Sequence, residues 1–451
     1  LTFPALVLTG IPPVAANATS AVAVLPGYAG GVAGYRRELG GFPHRRLVRD
    51  GAVALAGGLT LANFLRFLLA APPEDSCALQ ATSPDARPPI AGSGAYVLVT
   101  GGAGFLGAHV ARECLALGMR VTVVDDLSGG SARNLPAGAA FVRGDLRDAA
   151  FVDGLFRNRT TATRFKYVYH LAAYAAEGLS HFIRSYNYRT NLVASALLVN
   201  AAIKFGVRCF VFTSSIAVYG TGQLPLSERA ALAPEDPYGI GKLAMELDLA
   251  AAGRQFGLEW VVFRPHNVYG PLQNAADRYR NVLGIFLSQL RAAAPLTIFG
   301  DGAQTRSFTY VDDVAQPIAR APLHPQLYRQ TFNVGADEQT TLNELAALLS
   351  QAWGAPLHVT RLPPRNEVRH ARATHHKLRC FLGAHAVAPT PLREGIARTV
   401  AWALEQLPPT TEDVARGFGA VEVLRGLPPS WRDAGLREVP EYVGARVRNV
   451  K

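Results

Sequence analysis

The chain has 451 residues, 45 of them Lys or Arg and 34 Asp or Glu, for a net charge of +11; 49% are apolar and 18% charged. That balance excludes a disordered chain, and the length excludes a small disulfide-held scaffold. Only five of the basic residues are lysines, so the Arg excess reads as base-composition bias. Nucleic-acid binding, which needs basic residues interleaved with aromatics or set on a recognition helix, is not expected.

Residues 1–35 are apolar but broken by Pro12, Pro13, Pro26 and several glycines. Residues 51–71 form an apolar run long enough to cross a bilayer, yet Arg66 near its centre costs about 3 kcal/mol on insertion. The pieces 16–19 (ANAT), 25–28 (LPGY) and 34–39 (GYRREL) resemble a fragment of the sulfite-exporter-like membrane permeases, over about 40 residues. Residues 1–71 are therefore read as a permease remnant, whether a residual membrane anchor or a fusion or gene-model artefact, with a chance match as the alternative. Residues 72–94, rich in Pro, Ser and small residues, read as a linker.

From Ala95 the pattern changes. Strand-like runs at 95–100, 120–125, 139–143, 166–171, 208–213 and 258–264 alternate with helical stretches that include 104–118, 187–205 and 237–256. Such alternation predicts an α/β fold, βαβ units around a doubly wound parallel sheet. After about residue 407 the chain is Pro-rich and irregular. The cysteines Cys77, Cys114, Cys209 and Cys380 are far apart; no CxxC pair and no disulfide framework can be read, and a reducing compartment is the mild inference. No metal site is expected, because the adjacent pair His375 and His376 cannot share one helix face.

The first strand runs into Gly101, Gly104 and Gly107, spaced GxxGxxG, and then into a helix. The first glycine permits the turn. The second lets backbone N–H groups approach a pyrophosphate at the helix N-terminus. The third allows helix and strand to pack closely. The second strand ends in Asp125, suited to adenosine ribose hydroxyls and repellent to a 2′-phosphate, which favours NAD over NADP. Asp145 and Leu146, after the third strand, are placed beside the adenine, with a turn or N-cap role as the alternative for Asp145.

Farther on, Tyr238 and Lys242 stand at i and i+4, on one helix face, after a strand that ends in Ser214 and Ser215. A free Tyr titrates near pH 10; a neighbouring ammonium and the positive nicotinamide both favour its phenolate, and a strand-end Ser can relay the proton. Between Arg361 and Arg398 there are eight Lys or Arg and two Glu, a local net of +6, where a small anionic ligand is at least as good a partner as nucleic acid.

In chain order, VTGGAGFLG (99–107), VVDDLSGG (123–130), GDLRD (144–148), HLAA (170–173), FTSSIAVYG (212–220), PYGIGK (237–242), FRPHNVYGP (263–271), GDGAQTRSFTYVDDVA (300–315) and FNVG (332–335) resemble the extended short-chain dehydrogenase/reductase superfamily. Within it, the chain is most similar to the NAD-dependent nucleotide-sugar epimerases of the UDP-glucose 4-epimerase type. The resemblance spans about 95–406. It implies a Rossmann-type NAD part at about 95–264 and a smaller α/β substrate lobe, mostly 265–406, with the tail 407–451 beyond it.

Carried over position by position, the resemblance makes Ser215, Tyr238 and Lys242 catalytic. It places Gly101, Gly104, Phe105, Leu106, Gly107, Asp125, Asp145, Leu146 and Ala172, with Tyr238 and Lys242, around NAD. Asn267, Arg306 and Arg365 would hold the substrate diphosphate, with Arg369 as the alternative to Arg365. Some members carry acids just after the Ser or Thr for dehydration or decarboxylation; Ile216 and Ala217 stand there. The position after Arg306, often Asp, is Ser307. Tyr174 and Ala175 follow the HLAA strand where some epimerases have a Lys, and Ala371 would leave room for a larger sugar.

The implied activity is C4 epimerisation of a UDP-sugar (UDP-glucose and UDP-galactose, or an N-acetylated or uronic-acid analogue) through a transient 4-keto intermediate. The partners are the UDP-sugar and a second copy of the chain. The alternative is an NAD-dependent dehydrogenase of a bulky hydroxyl substrate, like the 3-beta-hydroxysteroid dehydrogenases. A cytoplasmic location is expected, with membrane association through residues 1–71 as the alternative.

Overall fold

Residues Tyr96–Thr100 (β1) are apolar without alternation because they are covered on both faces, the mark of a central parallel strand. The structure is a computed structural model and describes residues 94–221, 224–275, 281–364, 369–406, 421–428 and 431. The permease-like segment, the linker up to residue 93, Arg365 and most of the tail lie outside the described residues.

After β1 come α1 (Phe105–Ala116), β2 (Arg120–Asp125), β3 (Ala140–Arg143), α2 (Ala149–Arg157) and β4 (Tyr167–His170). Then follow α3 (Glu177–Ser180), α4 (Arg184–Tyr188), a π-helical turn at Arg189–Val193, α5 (Ala194–Lys204), β5 (Cys209–Thr213), α6 (Pro237–Phe256) and β6 (Glu259–Pro265). The six expected strands are all present, displaced by at most one residue at either end.

The remaining elements are β7 (Val268–Tyr269), α7 (Val282–Arg291), β8 (Leu296–Phe299), β9 (Thr305–Arg306), β10 (Thr309–Tyr310), α8 (Val311–Arg320) and β11 (Gln330–Val334). They continue with β12 (Thr340–Thr341), α9 (Leu342–Trp353), β13 (Val359–Leu362), α10 (His376–Leu382) and α11 (Leu392–Gln406).

Seven strands form one parallel sheet in the order β11, β6, β5, β4, β1, β2, β3. Alternate side chains of each strand feed two cores. Val97, Val99, Val121 and Val123 pack with α1 and α8 on one face. Leu98, Val124, Phe210 and Phe212 pack with α5 and α6 on the other. Each such buried side chain contributes about 1.5–3 kcal/mol. A third core, around Phe286, Leu287, Leu345 and Ile396, holds the second lobe together.

The chain order reverses at β1, whose neighbours β2 and β4 lead to opposite edges. A crevice opens beyond the carboxyl ends of strands at such a switch point, and the glycine turn lies there.

Local signals set the helix that bears the Tyr and Lys. Asp236 caps α6 by accepting from Gly239 N, Pro237 occupies the first turn, and Gly257 ends it at φ +71°. The helix expected over 187–205 is present as a continuous run from Arg184 to Lys204 that carries a π turn at Arg189–Val193. There the side chain of Asn191 accepts from Tyr174 N at 2.8 Å and donates to Tyr174 O and Asn187 Oδ1.

Among the described residues, no helix is long and apolar enough to cross a membrane. Cys114 and Cys209 are buried free thiols.

Candidate active site

The glycine turn follows β1 directly. Gly101 has φ +69°, and a β-carbon on it would lie 2.7 Å from Ala172 N. A β-carbon on Gly107 would lie 2.1 Å from Gly101 O, so α1 can approach the turn only through glycine. Gly104 caps α1 with no side-chain acceptor. The first-turn N–H groups, those of Phe105 and Leu106 among them, thus have no capping side chain, and the helix dipole favours an anion beside them. A cradle of this shape suits the pyrophosphate of a dinucleotide.

Asp125 lies at the end of β2 beneath this turn. Its carboxylate accepts from Ala103 N at 3.0 Å and Leu127 N at 2.8 Å, bonds that stabilise the ionised form. Burial acts more strongly and raises its pKa. Asp125 therefore buttresses the phosphate turn, with lone pairs left for a ribose. Asp145 accepts from Arg147 N and pairs with the Arg147 side chain, a hydrogen bond that lowers its pKa. Asp148, not Asp145, caps α2. Leu146 is buried in the core beneath.

On the other side of the switch point, Ala172 N and Leu171 N both donate to Thr100 Oγ1. Thr100 Oγ1 lies 2.7 Å from His170 Nδ1, and His170 Nε2 lies 2.7 Å from Ser195 Oγ. Because Ser195 Oγ donates to Asn191 O, it accepts from His170 Nε2–H, and His170 is neutral. Burial, reinforced by Lys242, pushes its pKa down to about 3.

The expected catalytic residues converge on the end of β5. Lys242 is 3% exposed and donates to Thr213 O at 2.7 Å. Its ammonium lies 4.8 Å from the Phe212 ring centre and 5.7 Å from that of Tyr238. Burial lowers the Lys242 pKa to about 7, and the Glu246 carboxylate opposes that shift. Ser215 caps the short turn Ile216–Tyr219, its Oγ accepting from Ala217 N at 3.1 Å. Tyr238 N donates to Ser180 Oγ, and Asn187 Nδ2 donates to Pro237 O.

Beneath them lies a buried network that sequence reasoning missed. Ser214 Oγ donates to Glu246 Oε1, which also receives Arg264 Nε at 2.9 Å. Arg264 also pairs with Glu246 Oε2 and donates to Tyr219 OH at 2.7 Å, and Tyr219 OH donates to Asn333 Oδ1. Glu246, four residues beyond Lys242, lay on the same visible helical face; its partner Arg264 belongs to the next strand and carried no such signal.

Asn267 and Arg306 lie close together at the second lobe. Asn267 adopts φ +40°, and its Nδ2 donates to Ser307 O at 3.1 Å. Arg306 donates to Thr305 O and Arg369 O. The strand-like segment 369–374 stitches this region to the loop after Tyr219: Thr305 N bonds Arg369 O, Ala371 N bonds Thr305 O, and Leu226 N bonds Arg372 O.

The basic stretch is not one anion platform. Arg369 pairs with Asp301, Arg379 with Asp337 and Arg398 with Glu394, while Lys377 donates to Thr331 O against the Phe332 ring.

A buried histidine pair joins the two lobes. His266 Nδ1 donates to Ser307 O, His375 Nδ1 lies 2.7 Å from Asp337 Oδ1, and the two Nε2 atoms are 2.8 Å apart. The contact with His375 holds Asp337 down to about 2. No cluster able to hold a metal ion occurs among the described residues.

Residues 97–335 match the NAD dependent epimerase/dehydratase family. The chain is 36% identical over 306 residues to a UDP-glucose 4-epimerase of Mycolicibacterium smegmatis, covering 67% of this chain and 96% of that protein. It is similar to the crystal structure of Thermotoga maritima UDP-glucose 4-epimerase with UDP-glucose (TM-score 0.64, 34% identity, 69% of this chain and 100% of that one). It is also similar to the Thermus thermophilus UDP-glucose 4-epimerase complex with NAD (TM-score 0.61, 32% identity, 69% and 100%).

Proposed function

Because the chain belongs to the NAD-dependent epimerase/dehydratase family, we propose that it inverts C4 of a UDP-sugar through a transient 4-keto intermediate. The observation that carries this reading is the juxtaposition of Tyr238 and Lys242 on α6 with the Ser-bearing end of β5, with no acid at Ile216 or Ala217. Bound at the glycine turn, NAD supplies a reversible hydride acceptor.

The protein residues do the rest. Lys242, held against Thr213 O, stabilises the Tyr238 phenolate, which takes the proton of the 4-hydroxyl. Ser215 Oγ hydrogen-bonds the same substrate oxygen. Asn267 and Arg306 hold the diphosphate, the guanidinium fork suiting its oxygens, while the keto sugar turns over; Arg365 belongs to this set in the same reading. The proton then returns from Tyr238 to O4 of the inverted sugar. A homodimer is part of the proposal, and sizing of the purified protein tests it.

The test is to incubate the protein with UDP-galactose, UDP-N-acetylgalactosamine and UDP-galacturonate and to chromatograph the sugars. Interconversion of at least one supports the reading. None, with or without added NAD, overturns it. Net release of NADH in step with substrate loss would point to the dehydrogenase alternative. Tyr238→Phe should bind NAD normally and lose about 10²–10⁴-fold in turnover.

A further inference from the structure

Helix α4 opens a helical run that continues through the π turn into α5, and its N-cap residue, Ile183, offers no side-chain acceptor. Its cap comes from the far end of the chain: Glu422 Oε2 accepts from Ser185 N at 2.7 Å and Oε1 from Tyr186 N at 2.8 Å. The Glu422 backbone N–H donates to Phe182 O at 2.7 Å. Both carboxylate oxygens thus satisfy first-turn N–H groups at the positive end of the helix.

The contact is more than one cap. Val421, Leu427 and Trp431 are buried with Leu179 and Ile183 in a core of their own. The Trp431 indole packs edge-on against Phe182, ring centres 6.2 Å apart, and a β-carbon on Gly178 would stand 3.4 Å from it.

The elements so fastened touch the start of α6. Asn187 of α4 donates to Pro237 O at 2.9 Å. Ser180 of α3 receives Tyr238 N at 3.3 Å and lies 3.4 Å from Asp236, the α6 cap. Among the described residues, no other contact of the site involves residues beyond α11, and the family match ends at residue 335.

We propose that residues 421–428 and Trp431 form a strap whose Glu422 and Trp431 are positioning residues, holding α3 and α4 so that the first turn of α6 presents Tyr238 correctly. The inference rests on the catalytic role given to Tyr238 above. Glu422 and Trp431 act through Ser180, Asn187 and Pro237, not on substrate.

The test compares full-length Glu422→Ala, Glu422→Gln, Trp431→Ala and Trp431→Phe with the parent chain. Amide hydrogen exchange is read over 177–188 and 236–241, and kcat, KM and NAD affinity on a UDP-sugar the parent converts. The expected result for both alanine variants is faster exchange in both segments and a kcat lowered about 10- to 100-fold, with KM and NAD affinity within about twofold. Trp431→Phe, which keeps the ring, restores most of kcat; Glu422→Gln, with one acceptor oxygen, falls between. Faster exchange confined to 177–188 with kcat unchanged would reduce the strap to a structural clasp and overturn the proposal. So would unaltered exchange at 236–241. If the parent converts no UDP-sugar, the proposed function fails, and exchange at 236–241, which needs no turnover, still decides whether the strap orders the start of α6.

Discussion

Lys242 and Glu246 stand one turn apart on α6 and fasten consecutive residues of one strand end: Lys242 Nζ to Thr213 O at 2.7 Å, and Ser214 Oγ to Glu246 Oε1 at 2.5 Å. Ser215 is next in line. Its place relative to Tyr238 is therefore set by two bonds that its neighbours make, and its hydroxyl keeps donor capacity for a substrate oxygen.

Glu246 also neutralises Arg264, which is 3% exposed. Glu246→Ala leaves that guanidinium buried without its carboxylate and should cost about 3–5 kcal/mol, read as a lower urea midpoint at unchanged slope. Combining Glu246→Met with Arg264→Met should recover most of the loss. Simple additivity of the two single variants would show that the pair is not coupled.

The role proposed for Lys242 comes at a cost in stability. Its folded pKa is about 7, against 10.5 for the free side chain. Below pH 7 both states hold the proton, and the folded state bears the full penalty of a buried charge. From pH 7 to 10.5 the unfolded chain binds the extra proton, so stability rises with pH and the penalty fades. Lys242→Met should abolish turnover and raise the thermal midpoint more at pH 6 than near pH 10. An equal gain at both would contradict the buried-charge account.

His170 has the same sign in a lower window. Its pKa falls from 6.5 to about 3 on folding, so the unfolded chain alone binds the proton between those values and stability drops as pH falls through them. His266, also held near 3 chiefly by burial, adds to the effect. His170→Gln should remove about 1.4 kcal/mol per pH unit from the slope of unfolding free energy between pH 4 and 6. Urea titrations at three pH values measure it, and an unchanged slope would mean that His170 is not buried neutral.

Two helical glycines should respond oppositely to alanine. Gly154 in α2 has nothing within 4 Å of an added β-carbon, so Gly154→Ala should stabilise by about 1 kcal/mol through helix propensity. At Gly107 the same carbon would strike Gly101 O, and Gly107→Ala should destabilise by about 1–3 kcal/mol and weaken NAD binding. Calorimetric NAD titration and thermal midpoints of the two variants check both signs.

What could be read from the chain was whatever one element carries by itself. The GxxGxxG spacing and the Tyr and Lys four residues apart on the 237–256 helix are local, and the structure has each where spacing put it. The π turn before α5 was hidden because Asn191 finds its partner at Tyr174, across a loop. The His266–His375 contact spans 109 residues and the Glu422 cap 237, and no periodicity reports on either. Asp145 was ambiguous for a different reason: its local partner Arg147 and a distant ligand ask for the same residue type.

The Glu422 cap also has a consequence in time. Chains emerge from the ribosome amino end first, so the phosphate turn, the Ser, Tyr and Lys, and both Asn267 and Arg306 are all synthesised before the carboxylate that steadies α4. A nascent chain paused short of residue 422 contains every residue assigned to chemistry, yet the mount for Tyr238 is unfinished. Assembly of the machine and its final alignment are thus separate events, and the second waits for residue 422 to be made.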